Sequence, residues 1–355
     1  MSENNYKELI YNLKNRLDPE NLILEKSIKE ELSSISYSDV LEYVRYAMNG
    51  VEYAYTQRSK EAGENVKNHL VNGGIADVTF KYQGSVMTDT HIKGYSDIDL
   101  LVISEKFYTH DSYSIKRILN EESLQSIYYS NQIDKIRRET QVGEYNGSPL
   151  DDLKNLRVDS EDILKIKYLN FDASKPKSIW IRNTNLRREV DIVIANWYDD
   201  VISVINDKGA NRGIQVYNKH LNTKGKVDFP FISIERINNR SSITNGRLKK
   251  MIRFLKNVKA KSNLTIELSS FDFNAICYDI DPILYQNKAF YQLVHVLYTQ
   301  LNFIANNSTK ANSLTSVDGR EYIFVNNYEK LQGLRNLMTE VNSIILDLSL
   351  SKINI

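Results

Sequence analysis

The sequence has a single cysteine, no surplus of charge of either sign and no long apolar run. One cysteine, Cys277, excludes an intramolecular disulfide framework and any zinc site built on several cysteines, and it fits a reducing compartment. It lies between apolar neighbours in NAICYDI, which reads as core packing rather than as a nucleophile. Lys and Arg number 46 against 45 Asp and Glu, a net charge of +1, so no global basic field marks a nucleic-acid binder, and only local patches remain open. The start, MSENNYKELIYNLKNRL, carries no apolar signal core, and nothing later approaches a membrane span. A cytoplasmic protein without membrane attachment is expected. Internal repeats and low-complexity tracts are also missing.

A chain of 355 residues is long enough for a sizeable core and for two lobes at about 150 residues each. The stretch to about Gly74 is helical in pattern, with Val40, Val44, Met48, Val51 and Tyr55 at helical spacing before a Gly-Gly stop. DVTFKYQG reads as a short strand and DIDLLVIS as the next. A polar segment follows, with two helix-like pieces; one opens on Ser148 as N-cap and Pro149 at the first helical position. KSIWIRN, a turn at residues 183–185 and RREVDIVIANW form a hairpin. GIQVYN and KVDFPF read as short strands, TNGRLKKMIRFLKNVKAK as a basic amphipathic helix, and the remainder as mostly helical. The lobe boundary is expected near Tyr198, giving 1–198 as a catalytic lobe with the N-terminal helices and 199–355 as a mainly helical lobe.

The chemistry concentrates in YQGSVMTDTHIKGYSDIDLLVIS. Asp97 and Asp99 are two apart, so on a strand both carboxylates share a face. Residues 100–103 read as a strand buried on both faces. Like charges at the mouth of such a strand need a counter-charge, and hard oxygen ligands suit Mg²⁺. In-line nucleotidyl transfer needs two metal ions about 3.5–4 Å apart and a third carboxylate from a neighbouring strand. Asp191 in RREVDIVIANW is the candidate, because an apolar run starts immediately after it as it does after Asp99. Glu189 shares its face and is the competing acid.

Gly84 followed by Ser85 supplies a second part. A glycine and serine at a strand-to-helix turn let N–H groups and a hydroxyl approach phosphate oxygens closely. An isolated Gly-Ser is an ordinary turn, and it is the downstream aspartate pair that gives this one meaning. Gln83 can add to the same pocket, and Thr88, Asp89, Thr90 and His91 form the following loop, His91 as loop structure. Lys249, Arg253 and Lys256 lie on one helical face, away from Met251, Ile252 and Leu255; they suit a triphosphate, or else form a solvated basic face. Ser269 and Ser270 precede Phe271, whose ring can stack on a base.

Together QGS, SDIDLLV and REVDIV resemble the polymerase-β-type nucleotidyltransferase core. The basic helix and SSFDFNAICYDI narrow this to a similarity with the cGAS/DncV-like nucleotidyltransferases of bacterial anti-phage signalling, nearest the CdnE/CdnD-like branch and more distantly the oligoadenylate synthetases. The resemblance implies an α+β fold: a mixed sheet with helices plus a C-terminal helical lobe, with the active site in the cleft between them. It implies synthesis of cyclic di- or trinucleotides from nucleoside triphosphates, with pyrophosphate release and two Mg²⁺ (or Mn²⁺) ions. It assigns Ser85 to the donor triphosphate, Asp97, Asp99 and Asp191 to metal, Lys256, Ser270 and Arg253 to phosphates, and Phe271 to a base; Lys249 rests on the helix face alone. A monomer is expected, served downstream by a cyclic-nucleotide-responsive effector that it does not bind. The lack of a zinc-ribbon insertion speaks against a nucleic-acid activator of the animal type, and the apolar Val86 and Met87 leave base selection open. The rival readings are a template-independent RNA terminal nucleotidyltransferase, which needs a basic track, and an inactive nucleotide-binding or antitoxin-like module, which is expected to have lost a carboxylate.

Overall fold

The computed structural model describes residues 5–14, 38–92 and 98–351. They divide into two compact units, each assembled from separate stretches of chain: Met1–Thr56, Ser85–Ser96 and Arg236–Ile355 in one, Gln57–Gly84 and Asp97–Glu235 in the other.

The second unit is built on a seven-stranded mixed sheet. Its strands are β1 (Val78–Gln83), β2 (Ile98–His110), β3 (Asn170–Asp172), β4 (Ile179–Asn183), β5 (Arg188–Asp199), β6 (Gly213–Asn218) and β7 (Thr223–Asp228). The main path runs β1-β2-β5-β4-β3, while β6 pairs with both β5 and β7. The central pair, β2 and β5, is parallel, and both strands carry continuous apolar runs because both faces are covered. Leu100, Leu101, Val102 and Ile103 are all fully buried, as the sequence predicts. One edge of β5 is shared: residues 188–192 pair with β4 and residues 195–198 with β6. The polar segment after β2 folds into the helices Ser112–Asn120, Glu122–Gln125, Ser130–Glu139 and Pro149–Lys167. The last of these is capped by Ser148 with Pro149 in its first turn, as expected.

The sheet does not end at Tyr198. Because β6 and β7 extend it through β5, the contacts divide the chain between Glu235 and Arg236, a correction to the expected boundary. KVDFPF is also divided: β7 takes Lys226 to Asp228, and Pro230 opens the helix Pro230–Ile243 at a position where its missing N–H carries no penalty.

The other unit is helical. Helices Tyr6–Lys14, Asp39–Met48, Arg247–Lys261, Ser270–Tyr278, Gln292–Asn306 and Tyr328–Leu350 contribute to one apolar core, in which Leu41, Met251, Phe254, Leu297 and Leu337 are fully buried. Cys277 belongs to this core; its burial pushes the thiol pKa up, which suits packing and not nucleophilic chemistry. The continuous periodicity from Val40 to Tyr55 is interrupted: one helix stops at Met48, Asn49 is extended, and the next begins at Tyr53. No helix among the described residues is long and apolar enough to cross a membrane.

Candidate active site

The register of the sheet brings the acids together. Asp99 on β2 lies directly beside Asp191 on parallel β5, and Gln83 on β1 lies directly opposite Asp99. In-register neighbours project from the same face at a strand spacing of about 4.8 Å, so the two carboxylates and the amide share one patch. Both aspartates are partly exposed, whereas the residues flanking them, Ile98, Leu100, Val190 and Ile192, are buried. Asp97 lies outside the described residues. Glu189 is drawn to β4, accepting from Trp180 Nε1 at 3.4 Å with Arg182 Nε 4.0 Å away. Asp191 instead accepts from the Lys175 ammonium at 3.3 Å.

Gly84 is required beside this patch. Its φ is +81°, and an added Cβ would stand 2.2 Å from Asp99 Oδ2. The carboxylate occupies the space that any other residue would fill, so the glycine and the acid are one feature. No helix follows, which corrects the expected strand-to-helix turn. Residues 85–89 form successive turns, closed by Asp89 N–H to Val86 O at 3.3 Å and Thr90 N–H to Ser85 O at 2.9 Å. Helix-dipole attraction for an anion therefore has no source here, and Ser85 offers only its hydroxyl and the local N–H groups.

Within the helical unit, residues 251–258 of the basic helix are all buried, so the solvated-face reading fails for Arg253 and Lys256. Arg253 donates from Nε to Met48 O at 2.9 Å and from Nη1 to Asp89 O at 2.6 Å, with the Asp89 carboxylate 3.4 Å away. Lys256 donates to Thr90 O at 2.9 Å, and Asn238 to Met87 O at 3.3 Å. Three carbonyls of the turn after Ser85 are thus held by three side chains from two helices. Burial, reinforced by neighbouring Arg253, pushes the Lys256 pKa down to about 8. Lys249 is half-buried, and burial lowers its pKa against the attraction of Asp89. His91 is fully buried with Nε2 3.1 Å from Thr56 Oγ1, which keeps it in the loop's framework as expected. Val86 is buried too and offers nothing to a base.

A cavity of about 250 Å³ opens beside Lys256, lined also by Ile92, Lys259, Leu268, Ser270 and Phe273. Ser269 caps the next helix through a reciprocal bond with Asp272, leaving Ser270, at the first helical position, on the cavity wall. Phe271 is partly buried against the core, whereas Phe273 is fully buried in it and also borders the cavity. Aromatics two apart in a helix point about 200° around from each other, and here the inward ring is Phe273, which leaves Phe271 the more exposed of the two. Two cations escaped the sequence reading. Lys259 is one turn beyond Lys256 and donates to Leu268 O at 2.6 Å, and Lys175 sits in a loop without periodicity.

The carboxylate oxygens of Asp99 and Asp191 are hard donors placed side by side, a like-charge pair that calls for a cation; an ammonium already serves one of them. These residues fit a divalent ion. Among the described residues no group of three such ligands is gathered, the third expected acid, Asp97, lying outside them.

Residues 235–346 match the family model for the cGAS/DncV-like nucleotidyltransferase C-terminal helical domain. The chain is 53% identical over 98% of its length, and 99% of the relative's, to a c-di-GMP synthase of Capnocytophaga granulosa. The solved structure of the STING-associated CdnE c-di-GMP synthase from that organism matches with a TM-score of 0.80 at 48% identity, covering 97% of this chain and 99% of the other. The STING-associated CdnE c-di-GMP synthase from Flavobacteriaceae sp. matches with a TM-score of 0.87 at 37% identity, covering 98% and 99%. With acids on paired strands and a matching helical domain, the chain belongs to the cGAS/DncV-like nucleotidyltransferases and is a nucleotidyltransferase.

Proposed function

We propose that this enzyme joins two molecules of GTP into cyclic di-GMP with release of two pyrophosphates, as a signal for a cyclic-dinucleotide-responsive effector in phage defence. The observation that carries this reading is the in-register pairing of Asp99 with Asp191, in a chain 53% identical over nearly its whole length to a c-di-GMP synthase.

Asp97, Asp99 and Asp191 would hold the two Mg²⁺ (or Mn²⁺) ions. The chemistry such ions supply when bound is to ease loss of the acceptor hydroxyl's proton and to neutralise charge on the α-phosphate and the departing pyrophosphate. The rest is positioning by the chain itself. A ribose hydroxyl of one GTP attacks the α-phosphate of the second, giving a linear dinucleotide and pyrophosphate. The remaining ribose hydroxyl then attacks the α-phosphate at the other end, closing the ring and releasing the second pyrophosphate. On the sheet, Asp99 and Asp191 provide the fixed negative patch, Gln83 an adjoining amide and Gly84 the room beside Asp99. In the helical unit, Ser85, Lys256 and Ser270 are the groups for phosphate oxygens, with Lys249 and Lys259 as flanking charge. Arg253 acts on the turn after Ser85 rather than on a phosphate, since its guanidinium is committed to carbonyls.

The test is to incubate the protein with each nucleoside triphosphate alone and with all four, with Mg²⁺ or Mn²⁺, and to weigh the products. Cyclic di-GMP from GTP alone supports the reading. Another cyclic product overturns the choice of base, and open-ended extension of RNA would favour the terminal-transferase rival.

A further inference from the structure

Lys175 lies 3.3 Å from Asp191, and neither the sequence motifs nor the roles given above account for it. Its loop, residues 173–178 between β3 and β4, is firmly built. Arg157, only 1% exposed, donates from Nη2 to the carbonyls of Ala173 at 3.4 Å, Lys175 at 3.2 Å and Ser178 at 2.9 Å. The same guanidinium is held by Glu161 at 2.5 Å. Lys219 gives its ammonium to Glu161 at 2.9 Å and its backbone N–H to Pro176 O at 2.9 Å, and Ser174 N–H is bound by Asp172 at 2.7 Å. The backbone of Lys175 is thereby fixed on a buried arginine, while its side chain keeps 46% of its surface exposed and has a path into solvent.

Like charges on directly adjacent strand positions repel, and the Lys175 ammonium offsets part of that cost at Asp191. An ammonium and a divalent ion compete for the same carboxylate oxygens and repel each other. A half-exposed ion pair is weak enough for the stronger cation to replace it. We propose that Lys175 is the resident counter-ion of Asp191 in the metal-free enzyme, displaced when a divalent cation binds, and that it thereby sets the metal concentration at which this carboxylate fills. The proposal rests on the metal reading of Asp191 given above.

Binding of Mn²⁺ alone, followed by the electron paramagnetic resonance signal of the free ion without nucleotide, tests it in wild type, Lys175→Met, Lys175→Arg and Asp191→Asn. Lys175→Met is expected to bind Mn²⁺ about two- to fivefold more tightly, the range given by an exposed ion pair, and Lys175→Arg as wild type does. Equal or weaker binding by Lys175→Met overturns the proposal, as does a wild type that binds no Mn²⁺. Wild-type affinity in Asp191→Asn overturns the metal reading itself, which separates the two failures.

Discussion

On the sheet, Asp99 and Asp191 stand partly exposed on adjacent strands, Asp191 paired with a half-exposed lysine. In the helical unit, Arg253 and Lys256 are each 6% exposed and are bonded to backbone carbonyls. The acids are open to solvent, whereas Arg253 is committed to the chain it holds, and Lys256 spends one of its three donors on Thr90 O while it also lines the cavity. A group meant to exchange partners must be cheap to strip of its counter-ion, and a surface pair is. A group meant to fix a loop works best where its bonds have no competition from water.

The sharpest break between the two sets comes from removing one member of each. Asp99→Asn is expected to lower product formation by about a thousandfold or more with the fold retained, in line with losing a central electrostatic group. Product assays together with thermal melting check both halves, and undiminished turnover would remove Asp99 from the chemistry. Arg253→Met is expected to act on stability first. It strands the buried carbonyl of Met48 and releases that of exposed Asp89, costing about 1–3 kcal/mol, which urea unfolding measures. A loss below about 1 kcal/mol would return Arg253 to a surface role.

Gly84→Ala sits where the two behaviours meet. It forces a Cβ to within 2.2 Å of Asp99 Oδ2 at a φ of +81°. A loss of about 1–3 kcal/mol in stability, with a tenfold to hundredfold fall in activity, is expected from the strain and the displaced carboxylate. The smallest effect is a pH dependence. Burial, opposed in part by Asp89 and aided by Lys256 and Arg253, pulls the His91 pKa from 6.5 down to about 4. Between those values the unfolded chain binds the proton and the folded one does not, so stability falls as pH falls through this window. The stability gap between wild type and His91→Gln is expected to narrow by about 2 kcal/mol from neutral pH to about pH 5.

Much of the acidic patch was legible in the sequence. An aspartate at the head of a doubly buried strand occurs twice, and alternation alone puts each acid on a definite face. The preference for Asp191 over Glu189 also follows from the apolar run, and β4 engages Glu189 while leaving Asp191 to Lys175. The basic helix was legible only halfway. Periodicity groups Lys249, Arg253 and Lys256 on a face, but what covers that face comes from residues 48 and 87–90, distant in sequence. The boundary of the units was hidden for a related reason: each unit is assembled from separate segments, and a change of composition along the chain cannot show that. Lys175 lies on a loop whose shape is set by Arg157, a tertiary contact with no local signature.

The acid that completes the site is tested most directly by comparing Asp191→Asn with Glu189→Gln under identical conditions, measuring pyrophosphate release from GTP and binding of a non-hydrolysable GTP analogue. Expected is a loss of pyrophosphate release in Asp191→Asn of about a thousandfold or more, with analogue binding largely retained, and only a mild effect in Glu189→Gln. Full turnover in Asp191→Asn, or the opposite ranking of the two variants, would contradict the assignment of the chemistry to the paired strands.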